Sequence, residues 1–301
     1  MGSPPIAAEE LELLAGQHEI CGVVCQPDKP VGRHAVLTAP ESKVTATALG
    51  IPVFQPDNLK DERVIQWISG HCAQLIVVVA YGKILPRALL ELPRYGCINL
   101  HASLLPKYRG AAPLQHALLN GDSETGLSIM KLVEGMDTGP VLLQRSMPIG
   151  EEDDIDDLFR RAAQLGGQMI LEAIQKIEQG TAQYTEQDES LASYAPALTK
   201  NSGWLDFTGM ADLSVSCAVR ALCRWPVAYF LHEQSHVKVH KAKAVGGSGL
   251  PGEVLQINPL IVACKQGAVR IDSVTPEGRK TMSGTQYATG LRIKKGQNIL
   301  G

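Results

Sequence analysis

The apolar positions Ile6, Ala7, Leu11 and Leu14 recur at helical spacing against Glu9, Glu10 and Glu12, which predicts a helix over 6–15 that Gly16 can end. A strand is expected over 20–25, then a turn at Gln26-Pro-Asp-Lys-Pro30, a short helix over 42–49 and a strand over 51–54. A helix over 61–69 precedes 75–80, Leu-Ile-Val-Val-Val-Ala, an unbroken apolar run of the kind buried on both faces in a parallel sheet. Helices over 86–92 and 112–120 flank a short strand carrying Asn99 and His101, and strands follow over 126–132 and 141–147. Alternating strands and helices of this kind predict an α/β fold with a doubly wound, mostly parallel sheet.

The second half changes character. An acidic run over 151–157 leads into an amphipathic pattern over 158–177, where carboxylates in a first helical turn suit the helix dipole better than they suit a metal. Residues 180–200 are polar without a period and read as a linker. A helix over 210–222 then gives way to short β-rich pieces over 227–231, 237–240, 252–255, 260–264 and 269–274, separated by Gly and Pro turns. These predict a small β-barrel, so the expected domains are 1–179, a linker 180–200 and 201–301.

Composition narrows the class. An apolar fraction of 45% with 20% charged residues is that of a globular protein with a large core. The first residues show no basic start followed by an apolar signal core, and the seven scattered cysteines suit reduced, buried thiols, so the expected compartment is cytoplasmic. Charge is unevenly divided: residues 1–196 carry 15 Lys and Arg against 25 Asp and Glu, net −10, whereas residues 197–301 carry 13 against 6, net +7. A basic C-terminal unit on an acidic partner points to a polyanion.

Most metal and phosphate motifs are absent. No Cys-x-x-Cys pair, Gly-x-x-x-x-Gly-Lys-Ser/Thr loop or Gly-x-Ser-x-Gly elbow occurs. His232-Glu-Gln-Ser-His236 matches a zinc-protease pattern, but Tyr-Phe-Leu before it and Val-Lys-Val after it predict a hairpin, which would set the imidazoles apart. No metal is expected. The chemistry concentrates instead in 96–113: Asn99 and His101, two apart on a strand, share a face, and a Pro/Gly loop carrying Lys107 and Arg109 follows. Open α/β sheets place their sites at such strand ends. Asp137, between Gly135 and Gly139, is either a turn former or a loop carboxylate that orients a neighbouring imidazole.

Together these residues resemble the folate-dependent formyltransferase superfamily. The likeness rests on Asn99-x-His101-x-Ser-Leu-Leu-Pro106, Arg109-Gly-Ala-Ala-Pro113, Met136-Asp-Thr-Gly139 and Ala80-Tyr-Gly-x-Ile-Leu-Pro86. Gln26-Pro-Asp-Lys-Pro-Val-Gly-Arg33, Arg224-Trp-Pro226 and Val237-Lys-Val239 are most similar to its branch acting on methionyl-tRNA. The resemblance implies a formyltransferase-type Rossmann-like domain followed by an OB-like barrel. It also implies transfer of a formyl group from 10-formyltetrahydrofolate, as co-substrate, to the α-amine of initiator methionyl-tRNA for translation.

It further implies site roles, with Asn99 and a protonated His101 holding the formyl oxygen and Asp137 orienting His101. Ala80, Tyr81, Gly82, Ile84, Leu85, Ser103, Leu104, Leu105 and Pro106 would line the folate pocket, and Arg33, Lys107, Arg109 and Lys238 would meet tRNA. The protein is expected to be a monomer without a membrane partner. The rivals are formyl transfer to a sugar nucleotide, or to a purine precursor in enzymes that lack the basic barrel, and a catalytically weakened RNA-binding relative. Two departures stand out. His34-Ala-Val follows Arg33 where the family usually has further basic residues. Met1-Gly-Ser-Pro also resembles the turn after the family's first strand, so that strand is expected upstream, with Met1 an internal methionine.

Overall fold

The computed structural model describes residues 1–32 and 35–300. Two compact units emerge, one made of Met1–Pro113, Thr125–Pro148 and Phe159–Pro196, the other of Leu114–Glu124, Ile149–Leu158 and Ala197–Gly301.

The first unit begins with α1 (Pro5–Ala15), β1 (Val23–Val24), a hairpin of β2 (Lys29–Val31) and β3 (Val36–Thr38), α2 (Glu41–Ala48) and β4 (Val53–Phe54). In chain order there follow α3 (Glu62–Gly70), β5 (Ile76–Val79), α4 (Arg87–Leu90), β6 (Cys97–His101), α5 (Pro113–Leu119), β7 (Glu124–Lys131), β8 (Val141–Pro148) and the long α6 (Ile155–Glu178), of which α5 beyond Pro113 and the start of α6 up to Leu158 belong to the second unit. β1 pairs in parallel with β4, and a four-stranded sheet runs β5-β6-β7-β8. β6 lies parallel to β5, with Ile76 opposite Cys97 and Val79 opposite Leu100, but antiparallel to β7.

In β5, Ile76 and Val78 pack with Val64 and Ile68 of α3, while Leu11 of α1 and Ala46 of α2 pack against Val23 of β1. Among the described residues, Met1 and Gly2 lie between β1 and β5: Gly2 bridges Val79 in parallel and donates to the Val24 carbonyl at 3.1 Å. A Cβ on Gly2 would fall 2.4 Å from the Val79 carbonyl oxygen, so glycine is required at this close approach. The strand expected over 20–25 is reduced to Val23–Val24, paired with β4. The β2–β3 hairpin replaces the expected turn at 26–30. Its second strand is exposed at every position, so no hydrophobic alternation announced it.

The second unit holds α7 (Asp212–Ala221), β9 (Tyr229–His232), β10 (Ser235–Ala244), β11 (Val254–Gln256), β12 (Leu260–Ala263), β13 (Ala268–Pro276), β14 (Met282–Ser283) and α8 (Gly284–Gly290). Its antiparallel sheet runs β11-β12-β13-β10-β9, with β14 also on β13. Phe230 meets both Phe207 and Tyr287 edge-on, and Val237, Val239, Leu260, Val262 and Ile271 are buried. β10 outruns the expected 237–240 because Lys241 and Lys243 face solvent while Ala242 is buried, an alternation that apolar content alone conceals.

The zinc-protease pattern sits on the β9–β10 hairpin. Glu233 and Gln234 turn at φ 48° and 66°, His232 is buried with its Nδ1 2.6 Å from the Tyr287 hydroxyl, and His236 is exposed. The acidic run opens α6: the Asp154 carboxylate accepts from the backbone N–H groups of Asp156 at 2.8 Å and Asp157 at 3.1 Å. Asp156 pairs with Arg224 and Glu152 with Lys243.

Candidate active site

β6 ends at the site. Its pairing with β5 and β7 fixes the strand, and the two-residue period sends Asn99 and His101 to one face. His101 is 5% exposed; its Nε2 lies 2.9 Å from the Tyr108 carbonyl, which fixes the ring, and its Nδ1 faces Asp137 Oδ2 at 3.7 Å. That second distance exceeds a hydrogen bond, so Nδ1 and Oδ2 can both reach an atom placed between them. Asn99 is half-buried and its side-chain amide makes no hydrogen bond among the described residues. An amide, an imidazole and a carboxylate thus converge from one strand and one loop.

The loop carrying Asp137 is held from three directions. Asp137 adopts φ 56°, Oδ2 accepts from the Gly110 N–H at 2.8 Å, and the Asp137 carbonyl accepts from Gln187 Nε2 at 2.8 Å. Gln187 Nε2 also donates to the Gly139 carbonyl at 2.7 Å. Gly110 has φ 123°, and a Cβ there would meet the Ala195 carbonyl oxygen at 2.6 Å, so only glycine brings this N–H to the carboxylate.

Arg109, expected to meet tRNA, is buried in an ion pair. Its guanidinium is 1% exposed and engages Glu189 twice, at 2.8 and 2.7 Å, and Gln187 Oε1 at 3.1 and 2.8 Å. A planar fork filled by a carboxylate and an amide is not offered to a phosphate. Arg109 instead ties the site loop to residues 187–189, and its pairing holds the Glu189 carboxyl below its usual value. Its backbone is clamped too, giving Ser193 O its N–H at 2.8 Å and receiving the N–H of Ala195 at 2.7 Å. Gln187 and Glu189 were passed over within an apparent linker; a Gln and a Glu two apart in a polar stretch carry no signal of buried partners.

The other expected residues divide. Lys107 is exposed in the loop, and Lys238 is exposed on β10 opposite Tyr229 and Thr275. Arg33 lies outside the described residues. Ala80, at φ 47°, Gly82 and Ile84 are exposed, and Ile84 lines a cleft of about 360 Å³ with Lys83, Pro86 and the 57–60 segment. Tyr81 and Leu85 are core residues, and burial pushes the Tyr81 phenol up to about 12.

Ser103 is buried, donating to the Lys107 carbonyl at 2.6 Å. Ser128 joins it to the rest of the loop, donating to Ser103 O at 2.6 Å and accepting from the Leu105 N–H at 3.1 Å. Ser103 and Leu105 therefore shape the loop from within, while Leu104 and Pro106 are half-buried. The larger cleft, about 500 Å³, is lined by none of Asn99, His101 or Asp137.

The chain as a whole is similar to known proteins. A family model described as "Formyl transferase" matches residues 7–174, and one described as "Formyl transferase, C-terminal domain" matches residues 197–292. The chain is 40% identical over 299 residues to the methionyl-tRNA formyltransferase of Thermodesulfovibrio yellowstonii, spanning 99% of this chain and 96% of that protein. It resembles the solved structure of WlaRD, a sugar 3N-formyl transferase, with a TM-score of 0.65 at 17% identity over 93% of this chain and 97% of that one. HypX from Aquifex aeolicus in complex with tetrahydrofolic acid matches with a TM-score of 0.61 at 18% identity, over 83% of this chain and 44% of that one. At such identities both structures speak for the fold alone.

Proposed function

This chain belongs to the formyl transferase family, and we propose that Asn99, His101 and Asp137 carry its reaction, with 10-formyltetrahydrofolate as donor. The chain formylates methionyl-tRNA and draws on a folate co-substrate. The acceptor is the α-amine of initiator methionyl-tRNA, and the work is cytoplasmic; no helix among the described residues is long and apolar enough to cross a membrane.

The observation that supports these roles is the open 3.7 Å between His101 Nδ1 and Asp137 Oδ2, with Asn99 on the same face of β6 and its amide unbonded among the described residues. Such a set fits a formyl donor, which supplies an activated one-carbon unit. A free α-amine has a pKa of about 7.7–8.0, so an appreciable fraction is neutral near pH 7 and needs placement more than a strong base. As the amine nitrogen bonds to the formyl carbon, negative charge builds on the formyl oxygen. Asn99 donates an N–H to that oxygen and His101 Nδ1–H supports it, a contribution worth about 3–4 kcal/mol for one well-aimed donor. Asp137 accepts the proton the amine sheds. When the bond from carbon to the donor nitrogen breaks, that nitrogen takes up a proton relayed from the same pair.

Asn99→Ala, His101→Ala and Asp137→Ala are each expected to lower kcat by about 10²–10³-fold while the chain still folds, as circular dichroism will show. Near-normal turnover in all three would sink the assignment. Supplying a labelled formyl donor with methionyl-tRNA or an amino-sugar nucleotide separates the two acceptor classes; label is expected in the tRNA.

A further inference from the structure

Aromatic rings gather on the outer face of the second unit's sheet. Trp204 bridges Tyr229 in parallel, Tyr229 lies opposite Lys238 of β10, and Lys238 lies opposite Thr275 of β13. Residues directly opposite one another share a face, so these side chains form one row across the sheet. Their chain neighbours Leu205, Phe230, Val237, Val239 and Val274 are buried, as the alternation of a one-sided sheet requires. In the row itself Trp204 is 49% exposed, Tyr229 is half-buried and Lys238 is exposed. Trp204 meets Tyr229 edge-on at 6.2 Å, and the exposed His236 of β10 sets its ring 4.9 Å from the other side of the group, against Tyr229.

The backbone places these rings. The Leu205 N–H donates to the Tyr229 carbonyl at 2.8 Å, which holds Trp204 beside β9. A Cβ at Gly203 would stand 2.5 Å from the Val227 carbonyl oxygen and 3.2 Å from Tyr229 Cδ1, so the tyrosine ring lies against bare backbone. The His236 N–H donates to Glu277 Oε2 at 3.3 Å, which fastens the start of β10. Single exposed rings need no explanation, but rings set together in line with a lysine mark a contact face.

Two facts select its occupant. Residues 197–301 carry a net +7, which suits a polyanion, and Lys238 is one strand, roughly 4.8 Å, from Tyr229. A nucleobase offers a flat π-face that stacks on such rings while its phosphate meets a cation alongside. We propose that Trp204, Tyr229 and His236 form a stacking platform for unpaired bases of the tRNA, with Lys238 meeting the adjoining phosphate. The proposal rests on methionyl-tRNA being the acceptor, and adds to it a grip on base faces that does not depend on charge. Paired bases hide those faces in the helix, so only unpaired ones fit. The grip is tolerant of sequence, because every base has a π-face.

Methionyl-tRNA binding by the full chain, titrated at several salt concentrations, tests this. Trp204→Ala and Tyr229→Ala are each expected to weaken binding about fivefold or more, the low end of what one stacked base contributes. The slope of log K against log[salt] is expected to stay that of the parent, because a ring displaces no counterion. Trp204→Phe and Tyr229→Phe keep a ring and are expected to bind within about threefold of the parent. A short oligoadenylate is expected to outbind an abasic chain of the same length, and Trp204→Ala to shrink that difference. Parent-like affinity in both alanine variants would overturn the proposal, as would equal binding of the abasic chain. So would a dimer of the parent that Trp204→Ala dissolves, which would give the face to a second copy. A parent that binds no tRNA would sink the acceptor reading as well, which the other outcomes leave standing.

Discussion

Glu10 shows how one buried side chain ties stability to pH. It is 2% exposed in α1, its Oε1 has no partner, and burial, with Glu9 adding to it, pushes its carboxyl up to about 8 from the usual 4.5. The unfolded chain releases this proton near 4.5 while the folded chain retains it to about 8. Stability linked to Glu10 is therefore complete below 4.5 and is lost as pH rises through 8. Glu10→Gln removes the dependence. Its Tm is expected to exceed that of the parent at pH 8.5 and to match it near pH 4.5, as thermal unfolding across that range will record. At this scale the sequence displayed chemistry but not burial. Asn99, His101 and Asp137 were legible because few other residue types at that spacing serve a carbonyl and a proton. The pairing of Arg109 with Glu189 was not legible, because a guanidinium looks the same in sequence whether it meets a phosphate or a carboxylate within the chain.

Among the elements, the segment 187–195 has the largest effect for the weakest signal. Gln187, Glu189, Ser193 and Ala195 together hold Arg109, Gly110 and the Asp137 loop, although the segment offers only a short 3₁₀ turn, Glu189–Leu191, as regular structure. Replacing 187–195 by a Gly/Ser stretch of equal length is expected to lower kcat by at least about 10²-fold, since small misplacements of catalytic groups cost that much. RNA affinity measured by filter binding is expected to stay within about twofold, because the exposed lysines of the second unit are untouched. Helices such as α3 and α6 were readable from their period; this segment was not, because its order comes from side-chain and backbone bonds to residues far away in sequence. β3 and α8 escaped for a related reason. The one is exposed throughout, and the other is a short Gly- and Thr-containing helix started by the Ser283–Gln286 capping box.

For the whole molecule, the division of charge predicts how binding responds to salt. Residues 197–301 carry a net +7 and residues 1–196 a net −10, so phosphate contacts are expected from the former. Lys238→Glu, which alters an exposed β10 side chain, is expected to weaken methionyl-tRNA binding and to reduce the slope of log K against log[salt] by about 1 or more, with kcat at saturating tRNA unchanged. A titration at several salt concentrations checks this. The two-unit plan was visible in sequence because hydrophobic period and charge both shift near residue 200. Less visible was that 114–124 and 149–158 fold with the second unit, since chain order alone assigns them to the first.

The bonds from Arg109 to Glu189 and Gln187 span 80 and 78 positions, and this has a consequence during synthesis. A chain leaving the ribosome exposes Asn99, His101 and Asp137 well before the residues that fasten them. At about 5–20 residues per second, several seconds separate the loop from its clasp. The enzyme is therefore made with its chemistry first and its alignment later, and a nascent chain halted before residue 187 should hold every reacting group yet do no work.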